Sequence, residues 1–466
     1  MGLDGYSMMI VSKYFTSIDQ FIAVEMVCKK YRNLMAKFHY NPIPLNKKTM
    51  SYFTNLETLH IYYITDDHFD DISFFERIIW YSISYSHVIQ TLDVTQSSAK
   101  CRFDKHSNEQ KVTYKRISLH QDVTNSLKSV SQPHSLFFPH NTYSLGYHLF
   151  TKQTSLQSVS LPDTIVTIGE LCFSGCANLS SITLPQFLTF LDSGVFWGCS
   201  SLLSIALPST LNIIENGVFC GCKSLTSVSI PKTVNYIGDW AFFCCSSLEY
   251  IDIPDNVWCI GDHAFTDCYS LKSIKIPEQV NATGFWCFSN CTSLSKVLFH
   301  RNVFALKSEC FSACSNLKVV ELPETVSQIG NRCFALCTSL TTIEIARGVV
   351  ELEFKCFFMC GSLVKVRIPK TVSKIGKLCF AGCKKLKKVK IPLKIKKLKY
   401  GCFYGCTDLK KIETPHRLTS LGKKCFFGCK NLEEIVGLKN VENVGEFCFV
   451  GCEKLNWKDC RKCQSE

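Results

Sequence analysis

Twenty-nine cysteines in 466 residues are the first feature of this chain that could do chemistry. Thiolates bind metals, attack electrophiles and exchange disulfides, and each use needs its own arrangement. Structural zinc needs four ligands closing on one ion. A reactive thiol needs exposure and a depressed pKa. Here the cysteines recur at a fixed interval instead. Thirteen of them step by 23 residues from Cys176 through Cys199, Cys222 and Cys245 to Cys452, and nine more, Cys172, Cys287 and Cys448 among them, stand just before a phenylalanine. An open row along an axis closes no metal site, and a packed row exposes no thiol. These side chains therefore read as small packed hydrophobes, mostly free thiols. Stacked neighbours lie within disulfide reach, but parallel side-chain vectors oppose bonding. Cys460-x-x-Cys463 lacks the second pair that zinc needs. No metal or other cofactor is expected.

Charge is the second feature. The formal net charge is +13, and no Asp or Glu occurs between Lys355 and Thr407. In the 23-residue register Lys365, Lys388 and Lys411 share one position, Arg367 and Lys390 another, and Lys387 with Lys410 a third. These seven are the candidate residues for an anionic partner on an exposed strand face. A focused positive patch attracts anions. An acidic protein, an anionic membrane surface and nucleic acid all qualify, and a merely solubilising surface is the alternative. No aromatic side chains interleave on that face, which argues against single-stranded nucleic acid. Further back, Ser158, Ser181, Ser204 and Ser227 make a neutral row that Tyr250 and Asp252 interrupt, so those two mark a candidate polar and aromatic binding zone. A face zoned in this way suits recognition.

Catalysis has no comparable signal. The chain contains no P-loop, dinucleotide fingerprint or H-E-x-x-H, and its histidines are scattered, so it reads as not an enzyme. No run of 18 apolar residues suggests a membrane span. The first residues lack a secretory pattern, and Tyr6 stands where myristoylation wants Ser or Thr. The expectation is a cytoplasmic protein, membrane-peripheral if its lysines meet lipid.

What must position these residues is a repeat. Phe173, Phe196, Phe219 and so on to Phe449 recur every 23 residues without a gap, as does Leu156 to Leu455. The unit reads L-x-x-[IV]-x-[IL]-P-x-x-[VIL]-x-x-[IL]-G-x-x-C-F-x-x-C-x-x. Alternation at its start predicts a half-buried strand. Pro stops that strand, and a second short extended piece follows. The glycines, such as Gly169, Gly238, Gly261 and Gly330, predict a tight turn or a positive φ. The Cys-Phe-x-x-Cys segment predicts one helical turn. Loss of Pro at His300, Ala346 and Leu438 predicts looser turns there. One unit cannot bury its apolar positions alone, whereas a stack can.

This pattern resembles the BspA-type leucine-rich repeat. The resemblance spans about residues 133 to 455, with Cys replacing the usual Ala before Phe at nine positions. It implies a leucine-rich-repeat solenoid, an α/β-type horseshoe with a parallel sheet and an N-terminal helical cap. It also implies a protein-binding scaffold, or alternatively a cell-surface adhesin or receptor. Residues 51–132 carry strand patterns without the spacing, at Leu56-x-x-Leu59-x-Ile61 and Ile89-x-x-Leu92-x-Val94, and Lys100 to Lys115 reads as a polar loop. Residues 456–466 form a C-terminal cap, with Trp457 over the last rung. In residues 1–50, Ser17-Ile18-Asp19-Gln20 reads as a capping box before a helix bearing Phe21, Ile22, Val24, Met26 and Val27. With Cys28 to Leu34 this is similar to the second half of an F-box, which implies docking to a ubiquitin-ligase linker subunit. The other reading is a helical cap on the first rung.

Overall fold

The structure, a computed structural model, describes residues 4–84, 111–114, 116–119, 138 and 141–455. Two compact units emerge, Met1–Val130 with Phe137–Gly146, and Ser131–Leu136 with Tyr147–Glu466. The Ile89–Val94 pattern, Trp457 and Cys460-x-x-Cys463 lie outside the described residues.

The second unit is a parallel β-solenoid of about thirteen turns. Most rungs open with a short strand such as Ser158–Ser160, whose burial alternates exposed, buried, exposed. Strands pair in register with the next rung, Ser158 with Ser181 and Ser204 with Ser227. Proline follows, and its carbonyl accepts from the amide three residues on, as in Ile165 N to Pro162 O at 3.1 Å. The turns that lack proline keep the same bond: Val303 N donates to His300 O, Val349 N to Ala346 O and Val441 N to Leu438 O. The closing geometry needs only a carbonyl at that position, so the expected loosening is not seen. A second, two-residue strand follows, for example Tyr236–Ile237, paired to Ile213–Ile214 and Cys259–Ile260. The first face is not one sheet. It breaks between Ser181–Thr183 and Ser204–Ala206, at Tyr250–Asp252, and between Lys296–Leu298 and Val319–Val320, and six strands from Val319–Val320 to Glu434–Val436 form the longest piece.

The third side corrects the expectation of a helical turn, because no helix forms at Cys-Phe-x-x-Cys. Alternate amides reach across to the next rung instead: Trp240 N donates to Asp262 O, Phe242 N to Ala264 O and Cys244 N to Thr266 O. The amides between them close turns within the rung, Phe243 N to Trp240 O and Cys245 N to Phe242 O. Aiming every second N–H outward requires left-handed residues, and two occur per rung, such as Gly217 and Gly221, then Trp240 (φ 52) and Cys244 (φ 57). Non-glycine residues tolerate this at about 1–2 kcal/mol each, and the ladder of inter-rung bonds offsets it.

The glycines expected to need positive φ do not have it. Gly169, Gly238, Gly261 and Gly330 are absent from the left-handed set. Their role is close approach: a Cβ on Gly238, Gly261, Gly284 or Gly330 would overlap backbone of the preceding rung. At Gly284 it would overlap the Gly261 carbonyl, which no side-chain rotation relieves. Gly284→Ala should therefore cost about 1–3 kcal/mol or more, read as a lower urea midpoint. An unchanged midpoint would show that the rungs separate freely there.

The core is a column. Leu, strand Val or Ile, Phe and both cysteine positions point inward and are buried in nearly every rung. Phenylalanines from Phe150 to Phe449 stack face to face, their centroids 5.1 Å apart at the closest pair, Phe242 with Phe265, and 5.9 Å at the widest, Phe173 with Phe196.

The first unit holds helices Gly5–Ser12 and Ile18–Val27. The capping box is not made. Gln20 Oε1 accepts at 2.7 Å from Thr16 N, one residue before the cap, and Ser17 makes no side-chain cap bond. Phe21 packs edge-on against Phe38 and Phe53 in the core. Strand Thr58–Ile61 buries Leu59 and Ile61 and pairs in parallel with Glu76–Ile79, which pairs with Lys111–Tyr114. The described end of the expected Lys100–Lys115 loop is thus strand, because its backbone completes a ladder.

Candidate interaction surface

Strand alternation decides which side chains reach solvent. In Lys365–Arg367 and Lys388–Lys390 the central valine is buried and both flanking cations are exposed. Pairing stacks Lys365 on Lys388 and Lys388 on Lys411, so three ammonium groups share one row about 4.8 Å apart per strand. Lys387 and Lys410, one residue earlier, are exposed as well.

The seven predicted cations do not act alike. Arg367 pairs with Glu344 at 3.2 Å, Lys390 with Glu413 at 3.6 Å and Lys411 with Glu434 at 2.7 Å. All three partners lie one rung away. The hydrogen bond to Glu434 raises the Lys411 ammonium above its ordinary range. Among the described residues Lys365, Lys387, Lys388 and Lys410 have no such partner. The expected row of seven thus resolves into four unpaired cations flanked by neutralised ones.

Sequence reading missed the acids beside them. A cleft of about 530 Å³ opens on this face over the successive strands that start at Val319, Thr342 and Lys365. Ile343 and Ile345 line it, with Glu321 and Glu344 among its acids and Arg347 and Lys365 among its cations. Register at 23 residues would have placed Glu321, Glu344 and Arg367 in one row, had it been applied to the acids too.

Tyr250 and Asp252 sit where the strand is interrupted. Both are exposed, but Lys272 covers the Tyr250 ring at 5.3 Å and pairs with Glu249 at 2.5 Å. That zone is partly closed by the chain itself.

No group of His, Cys, Asp and Glu among the described residues could hold a metal ion. The column cysteines are buried, and each thiol in the main ladder donates to a phenylalanine carbonyl of the preceding rung, as in Cys337 Sγ to Phe311 O at 3.1 Å and Cys360 Sγ to Phe334 O at 3.0 Å. No helix among the described residues is long and apolar enough to cross a membrane.

With this geometry in place the comparisons are decisive for the family. The model for the BspA type leucine rich repeat region matches residues 124–249, 237–363 and 350–459. The chain belongs to the BspA-type leucine-rich-repeat family. This BspA-type chain is similar to a leucine-rich repeat protein from Bacteroides ovatus, at 27% identity over 65% of this chain and 88% of that one, with a TM-score of 0.54. A leucine rich cell surface protein from Faecalibacterium prausnitzii aligns at 23% identity over 70% and 86% of the two chains, with a TM-score of 0.39. No curated protein matches it. The family repeat is a generic protein-interaction and surface-protein fold.

Proposed function

We propose that this chain is a non-enzymatic scaffold whose first-strand face, from the cleft at Glu321 to Lys410, takes an acidic segment of a protein partner. The observation that carries the reading is the unpaired set Lys365, Lys387, Lys388 and Lys410, held in register beside a cleft with an apolar floor. Exposed like charges stacked this closely repel, and a partner carboxylate would relieve them. The flanking Glu344, Glu413 and Glu434 favour a partner of mixed charge over a uniformly anionic membrane. Affinity purification from cytosol with wild type and with Lys365→Glu plus Lys388→Glu tests this. Recovery of specific proteins should fall at least about tenfold, which is about 1.4 kcal/mol. Lys232→Glu, on an exposed turn, should leave recovery unchanged. Equal recovery by both variants would remove the reading, and binding only to anionic vesicles would replace it with a membrane role.

A second reading, that residues 1–50 join the scaffold to a ubiquitin-ligase linker subunit, is favoured by one observation. Met26 and Val27 at the end of helix Ile18–Val27 are 82% and 84% exposed, beside a cleft that Lys29 and Arg32 line. Apolar side chains that open suit a docking partner. Met26→Glu with Val27→Glu, which disturbs no core, should abolish linker recovery; linker absent from the wild-type sample would discard the adaptor role alone.

A further inference from the structure

The third side of the solenoid carries a feature that the strand face does not use. Three flat rings stand on the same register position of successive rungs. Trp240 and His263 stack at 5.7 Å and 13°, and His263 and Trp286 at 4.9 Å and 5°. Each is left-handed, so the side chain is carried on the outer corner of the turn. Trp240 is 42% exposed and Trp286 36%. Rings this large and this open are costly to leave in water.

Acid stands beside them. Asp239 and Asp262 each spend Oδ1 on a backbone amide one rung on, Asp262 N at 2.7 Å and Phe285 N at 2.7 Å. Those bonds fix the carboxylates at the rim of the shelf. The Tyr236 phenol on the adjoining strand is raised above its ordinary value by burial, and the charges of Asp239, Glu215 and Asp262 add to that. Asp239, Glu215 and Asp262 thus gather beside this strand, although the whole chain carries +13.

Elsewhere the chain shows what such a surface accepts. Phe447 occupies the register position of Trp240, and Lys424 from the preceding rung lies over it at 5.9 Å. Phe354 is covered by Arg332 at 5.5 Å, and Phe285 by Lys307 at 5.5 Å. Among the described residues no Lys or Arg covers Trp240 or Trp286. Aromatic rings with carboxylates at their rim attract Arg and Lys.

We propose that the Trp240–His263–Trp286 shelf is a docking site for a basic segment of a protein partner, whose arginine or lysine side chains lie against the rings and pair with Asp239 and Asp262. This site is distinct from the strand face and opposite to it in the charge it selects. It does not depend on the acidic-partner reading above.

The test exploits the repeat. Gly194, Gly217 and Gly401 occupy this same position in other rungs with positive φ, so Trp240→Gly with Trp286→Gly removes two rings at a site the fold already builds with glycine. Fluorescence anisotropy would follow a labelled peptide of alternating Arg and Gly titrated with the full chain, and a neutral Ser-Gly peptide of equal length serves as control. Wild type should bind the Arg-Gly peptide against its own net charge. The double glycine variant should lose at least about tenfold in affinity with no fall in unfolding midpoint. Asp239→Asn with Asp262→Asn keeps the amide-accepting oxygens and should weaken binding several-fold by removing charge alone. The proposal is overturned if wild type fails to bind the Arg-Gly peptide, if the Ser-Gly peptide binds as well, or if both variants bind as wild type does.

Discussion

Between pH 7.5 and pH 9.5, in reductant, the urea midpoint of the repeat array is expected to collapse. The cause is the buried thiol column. Burial raises the thiols of Cys199, Cys245, Cys291, Cys314, Cys360 and Cys383 above the ordinary range, and pushes Cys310 and Cys337 up to about 12. At Cys429 the hydrogen bond with Cys452 comes first and burial second. In the unfolded chain each would titrate near 8.5. Above that pH the unfolded state holds fewer protons than the folded one, so stability falls as pH rises. The contribution is complete below about pH 8.5 and drains away from there towards the folded pKa values. At pH 9.5 each thiol withdraws about 1.4 kcal/mol. About ten of them match the whole stability of an ordinary domain, 5–15 kcal/mol. Lysine and tyrosine titration in the same range moves exposed groups and cannot mimic a loss of this size. Cys337→Ala should lessen the pH slope by about one thiol's share. A midpoint that stays flat to pH 9.5 would show that the column is not a set of desolvated thiols.

The same column shows where a reading based on type and spacing falls short. Cysteine was expected to act as a small hydrophobe, and burial agrees. The carbonyl of Phe311 also needs donors: Cys314 N donates to it within the rung, and Cys337 Sγ from the next rung supplies a second. Alanine would leave that lone pair unfilled, which explains why one position is cysteine in all thirteen rungs of the ladder. The donor was invisible because its acceptor lies 26 residues upstream and is backbone, which carries no sequence signature.

Other differences have the same origin. The Phe, Leu and Cys ladders were legible because a constant period survives any local conformation. The helical turn was inferred from Cys-Phe-x-x-Cys as though i and i+4 must share a helix face. Left-handed Asn290, between Cys287 and Cys291, or Leu336, between Cys333 and Cys337, turns both cysteines inward without a helix. Gly284 was legible as special, but its reason, the Gly261 carbonyl pressed against it, belongs to two rungs at once. On the face, the lysine rows followed from register alone. The pairs Arg367–Glu344 and Lys411–Glu434 span 23 residues and follow from the same register. The missing strand at Tyr250–Asp252 and the cleft beside Ile343 did not follow from register alone.

Phe334→Ala is expected to cost about 3–5 kcal/mol. Phe334 is wholly buried, with Phe311 stacked at 5.8 Å and Phe357 at 5.7 Å. The space cannot close by collapse. Phe311 N is bound to Cys333 O at 2.9 Å and Phe334 N to Cys356 O at 3.0 Å, so the backbone ladder holds the neighbouring rungs at their spacing and the cavity persists. In a stack where each repeat touches only its neighbours, such a hole also weakens coupling along the axis. The denaturation curve should therefore broaden or split as well as shift, since rungs on the two sides no longer melt together. Phe449 in the last described rung is 6% exposed, and its replacement by Ala should cost less and leave a single transition. Leu336→Ala, two residues from Phe334 and 42% exposed, gives the surface baseline. A Phe334→Ala curve that matches this baseline would mean that the stacked rings fill space without holding the rungs together.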